Sequence, residues 1–134
     1  LKRYEKIIDK QLALAKLIPG VKRLIMSIYE LKKSMIILSG GTQGEVMKLI
    51  SLKGLDSYFS GIYGGPKNKE ENLLQINLQR PVLYFGDSEV DYLVSSKNQF
   101  DFVFVYGASN IANWQKKVSE WQILKAINNF NDQV

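Results

Sequence analysis

The chain has 134 residues, the length of a single domain. It contains no cysteine and no histidine, which excludes disulfides, thiolate nucleophiles, Ser-His-Asp triads and most zinc sites. The net charge of +5 favours an anionic partner, but the lysines are scattered, so we expect no nucleic-acid binding. No apolar run is long enough to span a membrane and no signal peptide opens the chain, so we expect a cytoplasmic protein without a membrane partner.

The predicted elements form a series of strand-to-helix units. Apolar side chains at helical spacing predict an amphipathic helix over residues 1–17 and a second helix that begins at Val21. Short apolar runs predict buried strands at Met35–Leu38, Gly61–Tyr63, Pro81–Phe85 and Phe102–Val105. Further helices are predicted from Thr42 to Lys53, from Asn68, over Glu89–Ser96 and over Trp114–Asn129. This order predicts an α/β fold, a parallel sheet with helices on both faces.

Two features mark the start of the third helix. Thr42 and Glu45 have the spacing of a capping box, in which each side chain bonds the other residue's backbone N–H. Gly54 is placed to end that helix.

Polar turns follow three of the predicted strands, at Ser39–Thr42, Gly64–Lys69 and Gly86–Asp91. Ligands of an open parallel sheet bind beyond the carboxyl ends of its strands. A hydroxyl, a lysine and a carboxylate brought together there suit a phosphate group and Mg²⁺. Taken singly, the serine and threonine also fit helix caps, the lysine a surface charge, and the aspartates favourable charges at a helix start.

The three turns resemble, in order, the second, third and fourth motifs of the haloacid dehalogenase-like hydrolases. The fourth, Gly-Asp-Ser-x-x-Asp at Gly86–Asp91, is the most specific. The likeness covers roughly residues 17–110, and Leu17–Val21 resembles the family's return from its helical cap to the core. It implies a Rossmann-like core and a Mg²⁺-dependent phosphatase that acts on a small phosphorylated metabolite through an aspartyl-phosphate.

The resemblance also implies roles for five residues. Ser39 and Gly40 would bind the substrate phosphate, and the Ser39 hydroxyl would donate a hydrogen bond to it. Lys69, in preference to Lys67, would steady the nucleophile and the phosphate. Asp87 and Asp91 would form the metal site.

The family's first motif, Asp-x-Asp, is missing from this sequence, because no two aspartates are separated by one residue. Asp9 falls within the predicted first helix. The chain also opens on Leu1, so we expect a fragment in which residues 1–17 are the remnant of a helical cap. Residues 18–134 would then be a core without its first strand, inactive alone and prone to self-association through the exposed sheet edge.

Two other interpretations stay open. The chain could be a non-catalytic binding or scaffold domain that keeps the same fold. It could also be an unrelated flavodoxin-like binding module, in which case the polar strand ends would not come together.

Overall fold

The computed structural model describes residues 19–132 and the backbone of Glu5–Asp9. The strands are β1 (Glu5–Asp9), β2 (Met35–Thr42), β3 (Gly61–Gly65), β4 (Val82–Gly86), β5 (Asp101–Val105) and β6 (Lys125–Ile127). The helices are α1 (Val21–Glu30), α2 (Gln43–Leu52), α3 (Lys69–Leu74), α4 (Glu89–Lys97) and α5 (Trp114–Val118). In this part of the chain, no helix has the length and apolar character needed to cross a bilayer.

The described strands form one parallel sheet in the order β3-β2-β1-β4-β5-β6. This is the order of a doubly wound Rossmann sheet. β1 lies at the centre, where Ile7 pairs with Ile36 of β2 on one side and with Tyr84 of β4 on the other. The strand order reverses between β1 and β4, so the crevice at their carboxyl ends is the expected place for a ligand.

Helices cover both faces of the sheet, because side chains alternate between the two faces along each buried strand. Met35 and Ile37 face α1 and α2, and Ile36 and Leu38 face α3 and α4. The first face is packed by Val21, Ile25, Val46 and Ile50, and the second by Leu73 and Val94. The predicted α/β class, with a Rossmann-like parallel sheet between helical layers, is therefore confirmed.

The prediction of a helix over residues 1–17 is wrong for Glu5–Asp9, which form β1. The gap expected at the first strand of the sheet is likewise filled, because β1 lies between β2 and β4. Two neighbouring strands offer free backbone donors and acceptors, and pairing with both of them outweighs a weak helical pattern. Residues 1–4 and 10–18 lie outside the described residues, and the cap remnant stays a prediction.

The predicted helix over Trp114–Asn129 is wrong beyond Val118, where the chain turns and then forms β6. β6 pairs with β5 through Phe104 and Ala126. Ala126 packs against one face of the sheet and Ile127 is buried on the other, which is the alternation of a strand. The sheet order makes β3 and β6 its edges, and self-association through an edge stays a prediction.

Candidate functional site

The polar turns predicted from the sequence lie at the same edge of the sheet. In the register of the strands Leu38 pairs with Asp9, and Ile8 pairs with Phe85. Ser39, in β2, and Asp87, directly after β4, therefore lie on either side of β1 at its carboxyl end. Since neighbouring strands lie about 4.8 Å apart, their backbones are on the order of 10 Å from each other. This is the width of a site for a small ligand.

A buried ion pair joins the second and third turns. Lys69 is the first residue of α3, and its Nζ lies 2.6 Å from Oδ1 of Asp91 on α4. The Asp91 side chain is fully buried and that of Lys69 is 11% exposed. A paired lysine at that level of burial is not the solvated surface charge of the plainer interpretation.

The carboxylate of Asp91 accepts hydrogen bonds at both oxygens. Oδ1 accepts from the Tyr84 hydroxyl at 2.7 Å as well as from Lys69, and Oδ2 accepts from the Ser88 hydroxyl at 2.9 Å and from the Asp87 N–H at 3.3 Å. Through these bonds Asp91 holds the Lys69 ammonium in place. Its part in a metal site stays a prediction.

Asp87 is the other carboxylate of the predicted metal pair. It directly follows β4 and is buried. Within the described residues no three acidic side chains are grouped so as to hold a metal ion. Mg²⁺ is commonly bound by one or two carboxylates, with water and substrate phosphate completing its six oxygens. A single carboxylate at the strand ends fits that mode of binding, but not a preformed protein cage.

Ser39 and Gly40 lie in β2, just beyond Leu38, the last residue of that strand that pairs with β1. Ser39 is buried, and its Oγ accepts the Gly41 N–H at 3.0 Å, an arrangement that leaves the hydroxyl hydrogen available to donate. Among the described residues, a Cβ atom placed on Gly40 would meet nothing within 4 Å, so none of them fills the space beside it. Thr42 is the N-cap of α2 without a side-chain hydrogen bond, so the predicted capping box there is wrong.

The capping box forms instead at α3, the helix that begins with Lys69. The Asn68 side chain accepts the Glu71 N–H at 2.8 Å, and the Glu71 carboxylate accepts the Asn68 N–H at 3.0 Å. Asn72 is buried, and its side-chain amide donates to the carbonyl of Gly64 at 3.1 Å and of Lys67 at 3.4 Å. The turn that carries Lys69 is thus fixed from within the helix.

Gln43 joins the end of β2 to the end of β3. Its amide nitrogen donates to the Ile62 carbonyl at 2.8 Å, and its amide oxygen accepts the Gly64 N–H at 2.6 Å. The sequence predictions missed Gln43, Asn72 and Tyr84. Only Tyr84 carried a signal, because a tyrosine inside a buried strand needs a partner for its hydroxyl.

Asp9 is the last residue of β1, so its predicted place within a helix is wrong. It pairs in register with Leu38, directly before Ser39, and therefore stands at the carboxyl edge of the central strand. The residue two positions further on is Gln11, so the Asp-x-Asp pattern is still absent. The strand end now offers one aspartate where the sequence predicted none.

A cavity of about 620 Å³ opens at the opposite edge of the sheet, where β2 and β3 begin. Tyr29, Lys33, Ser34 and Tyr58 are among the residues that line it. None of the predicted site residues is part of that lining. The cavity is therefore separate from the cluster at the carboxyl edge.

Comparison with known proteins relates the chain to a family. A family model for haloacid dehalogenase-like hydrolases matches residues 1–105. A search of curated proteins gave no match.

The fold is similar to that of several solved structures. A HAD-superfamily hydrolase from Ehrlichia chaffeensis has a TM-score of 0.68 at 21% identity, over 87% of this chain and 55% of that one. A haloacid dehalogenase-like family protein from Streptococcus pneumoniae has a TM-score of 0.69 at 16% identity, over 84% and 56%. D,D-heptose bisphosphate phosphatase from B. bronchiseptica, complexed with magnesium and phosphate, has 0.57 at 12% identity, over 95% and 93%. The chain thus spans little more than half the length of the first two.

Proposed function

Since the chain belongs to the haloacid dehalogenase-like hydrolase family, we propose that the gene product is a Mg²⁺-dependent phosphatase that acts on a small phosphorylated metabolite through an aspartyl-phosphate. The observation that carries the proposal is the buried Lys69–Asp91 pair at the carboxyl edge of the sheet. A cation is retained there because a fixed carboxylate holds it, and a fixed cation at a strand end suits an anionic substrate.

Each described side chain has a defined task in this proposal. The Lys69 ammonium balances the charge of the phosphate and holds the phosphate beside the nucleophile. The Ser39 hydroxyl donates to a phosphate oxygen, and the open space at Gly40 lets the phosphate approach the backbone. These groups are held in place before the substrate arrives, so little reorganisation is needed during the reaction.

Mg²⁺ belongs to the proposal because the heptose bisphosphate phosphatase of similar fold holds magnesium and phosphate. Asp87 is the described residue that would contact the ion. The chemistry supplied by a bound Mg²⁺ is neutralisation of phosphate charge.

The nucleophile has two possible sources. One is an aspartate outside this chain, which the missing Asp-x-Asp motif favours. The other is Asp9, which the structure places at the end of the central strand. Substitution of Asp9 separates the two.

The test compares hydrolysis of an aryl phosphate under excess Mg²⁺ by the natural full-length gene product, by the 134-residue chain and by variants of each. We expect turnover by the gene product, with losses of about 100-fold or more for Lys69→Ala and for Asp87→Asn, the scale for removing one preorganised charged group. We expect no turnover by the chain alone. Turnover by the chain that Asp9→Asn abolishes would instead assign the nucleophile to Asp9.

The alternative is a non-catalytic domain that binds a phosphorylated ligand or a partner. The absence of a second aspartate two residues after Asp9 favours it, because the family's general acid/base would stand there. A gene product that binds inorganic phosphate but hydrolyses no phosphate ester, with or without Mg²⁺, would support this alternative over the phosphatase.

A further inference from the structure

Tyr84 is a polar residue in the middle of the buried strand β4. Its side chain is fully buried, as are the neighbouring Leu83 and Phe85. Burying a hydroxyl costs free energy unless it finds a partner. The Tyr84 hydroxyl donates to Oδ1 of Asp91 at 2.7 Å, the same oxygen that accepts Lys69 at 2.6 Å. A phenylalanine would fill the same space without the hydrogen bond.

We propose that Tyr84 is a positioning residue for the phosphate site and acts on Lys69 through Asp91, an inference that rests on the proposed function. The Asp91 carboxylate is gripped at Oδ1 by the Tyr84 hydroxyl and at Oδ2 by Ser88 and the Asp87 N–H. A carboxylate held at both oxygens cannot rotate, so Oδ1 stays directed at the lysine. Hydrogen bonds to a charged acceptor are among the strongest that neutral donors make.

Without the Tyr84 hydroxyl, Oδ1 of Asp91 keeps, among the described residues, only its bond to Lys69. The carboxylate can then move, and the Lys69 ammonium paired with it moves too. A small displacement of a charge-stabilising group lowers the rate of a phosphate transfer more than it weakens binding, because alignment matters most in the transition state. We therefore expect Tyr84→Phe to lower kcat of the gene product by about 10-fold with a smaller change in KM.

The matched control is Tyr92→Phe, on the same side of the sheet. The Tyr92 hydroxyl accepts the Gln122 N–H at 3.1 Å and has no part in the site. Both variants remove one hydroxyl from a packed tyrosine, so both lose some stability, but we expect Tyr92→Phe to keep the kcat of the unmodified protein. An equal loss of kcat in the two variants would overturn the proposal.

A double-mutant cycle tests whether the effect passes through the lysine. If Tyr84 acts through Lys69, then Tyr84→Phe should change kcat by less than about twofold in a Lys69→Ala background, because coupled residues are not additive. The same 10-fold loss in both backgrounds would overturn the proposal.

A second measurement needs no turnover. Acetylation of lysines in the 134-residue chain, followed by mass spectrometry, reports how accessible Lys69 is, with the 75% exposed Lys97 as internal reference. We expect Tyr84→Phe to raise Lys69 labelling several-fold and Tyr92→Phe to leave it unchanged. Unchanged labelling in Tyr84→Phe would overturn the proposal even if the gene product is a phosphatase. If the unmodified gene product has no phosphatase activity, the proposed function is contradicted. The labelling still tests whether Tyr84 positions Lys69 through Asp91.

Circular dichroism establishes that each variant folds. If Tyr84→Phe does not fold, Ser88→Ala replaces it, because Ser88 holds the other oxygen of the same carboxylate. We expect the same rise in Lys69 labelling, and protection equal to that of the unmodified chain would contradict the proposal.

Discussion

Single atoms decide how closely the polar turns approach each other. A Cβ atom on Gly64 would lie 2.6 Å from the Gly41 carbonyl oxygen and 3.0 Å from the Gln43 nitrogen. Both are backbone atoms and cannot move aside alone. The glycine therefore lets the end of β3, and with it the turn that leads to Lys69, pack directly on the backbone where β2 passes into α2.

Gly64→Ala is expected to cost about 1–3 kcal/mol of stability, the usual range for forcing a methyl group into packed space. Displacement of the two turns should also weaken phosphate binding. Thermal unfolding and phosphate titration measure the two effects. The control is Gly44→Ala in α2, where a Cβ meets nothing within 4 Å and alanine favours the helix. An equally stable Gly64→Ala variant would show that the turns are not in close contact.

Ion pairs near the start of α4 differ in what surrounds them. Lys117 lies 2.8 Å from Glu89, both about half exposed, and the hydrogen bond that the Lys117 ammonium donates to that carboxylate raises the pKa of Lys117. Water screens such a pair, so it contributes little to stability. Lys69 and Asp91 make a pair of similar length where water is largely excluded, and removal of one partner there leaves a buried charge.

At the scale of elements, α3 is a helix of six residues that carries the lysine at its first position. So short a helix is not stable by itself. Its capping box supplies an acceptor for the Glu71 N–H, and the Asn72 amide holds the turn before the helix by donating to the carbonyls of Gly64 and Lys67. The geometry of Lys69 therefore depends on a local motif as well as on the sheet.

Asn68→Ala is expected to destabilise the chain by about 1 kcal/mol, because the Glu71 N–H loses its acceptor. Chemical denaturation gives the difference. Thr42→Ala is the matched control: Thr42 also occupies an N-cap but makes no side-chain hydrogen bond there, so its loss should cost less. If both substitutions cost the same, the capping box does not stabilise α3.

The strands β2 to β5 and most of the helices between them could be predicted from the sequence, because apolar runs alternate with amphipathic stretches. The capping box was predicted at Thr42 and found at Asn68, since both positions have the required spacing and only side-chain geometry separates them. The predicted helix over Trp114–Asn129 is too long, because part of it forms β6. That strand is stabilised by pairing with β5, a contact remote in sequence. The ion pair between Lys69 and Asp91 could not be predicted for the same reason, because its two residues are remote in sequence.

At the scale of the whole molecule, the position of β1 determines how the sheet and the site are completed. Without β1, the edges of β2 and β4 that face the middle of the sheet would be unpaired. Its sequence contains only two consecutive apolar residues, Ile7 and Ile8, between charged ones. This is why the sequence favoured a helix there and why an aspartate at the central strand end was not expected.

Replacement of Ile7 by proline tests that position. Ile7 pairs with Ile36 on one side and Tyr84 on the other, and proline removes a backbone donor from the sheet. We expect a loss of several kcal/mol, a large part of the about 5–15 kcal/mol that holds an ordinary domain together. Thermal unfolding should then show a much lower or a non-cooperative transition, and hydrogen exchange should accelerate in both β2 and β4. Unchanged unfolding and exchange would mean that Glu5–Asp9 are not the central strand. Asp9 would then lose its place at the site, and the nucleophile would have to come from outside the chain.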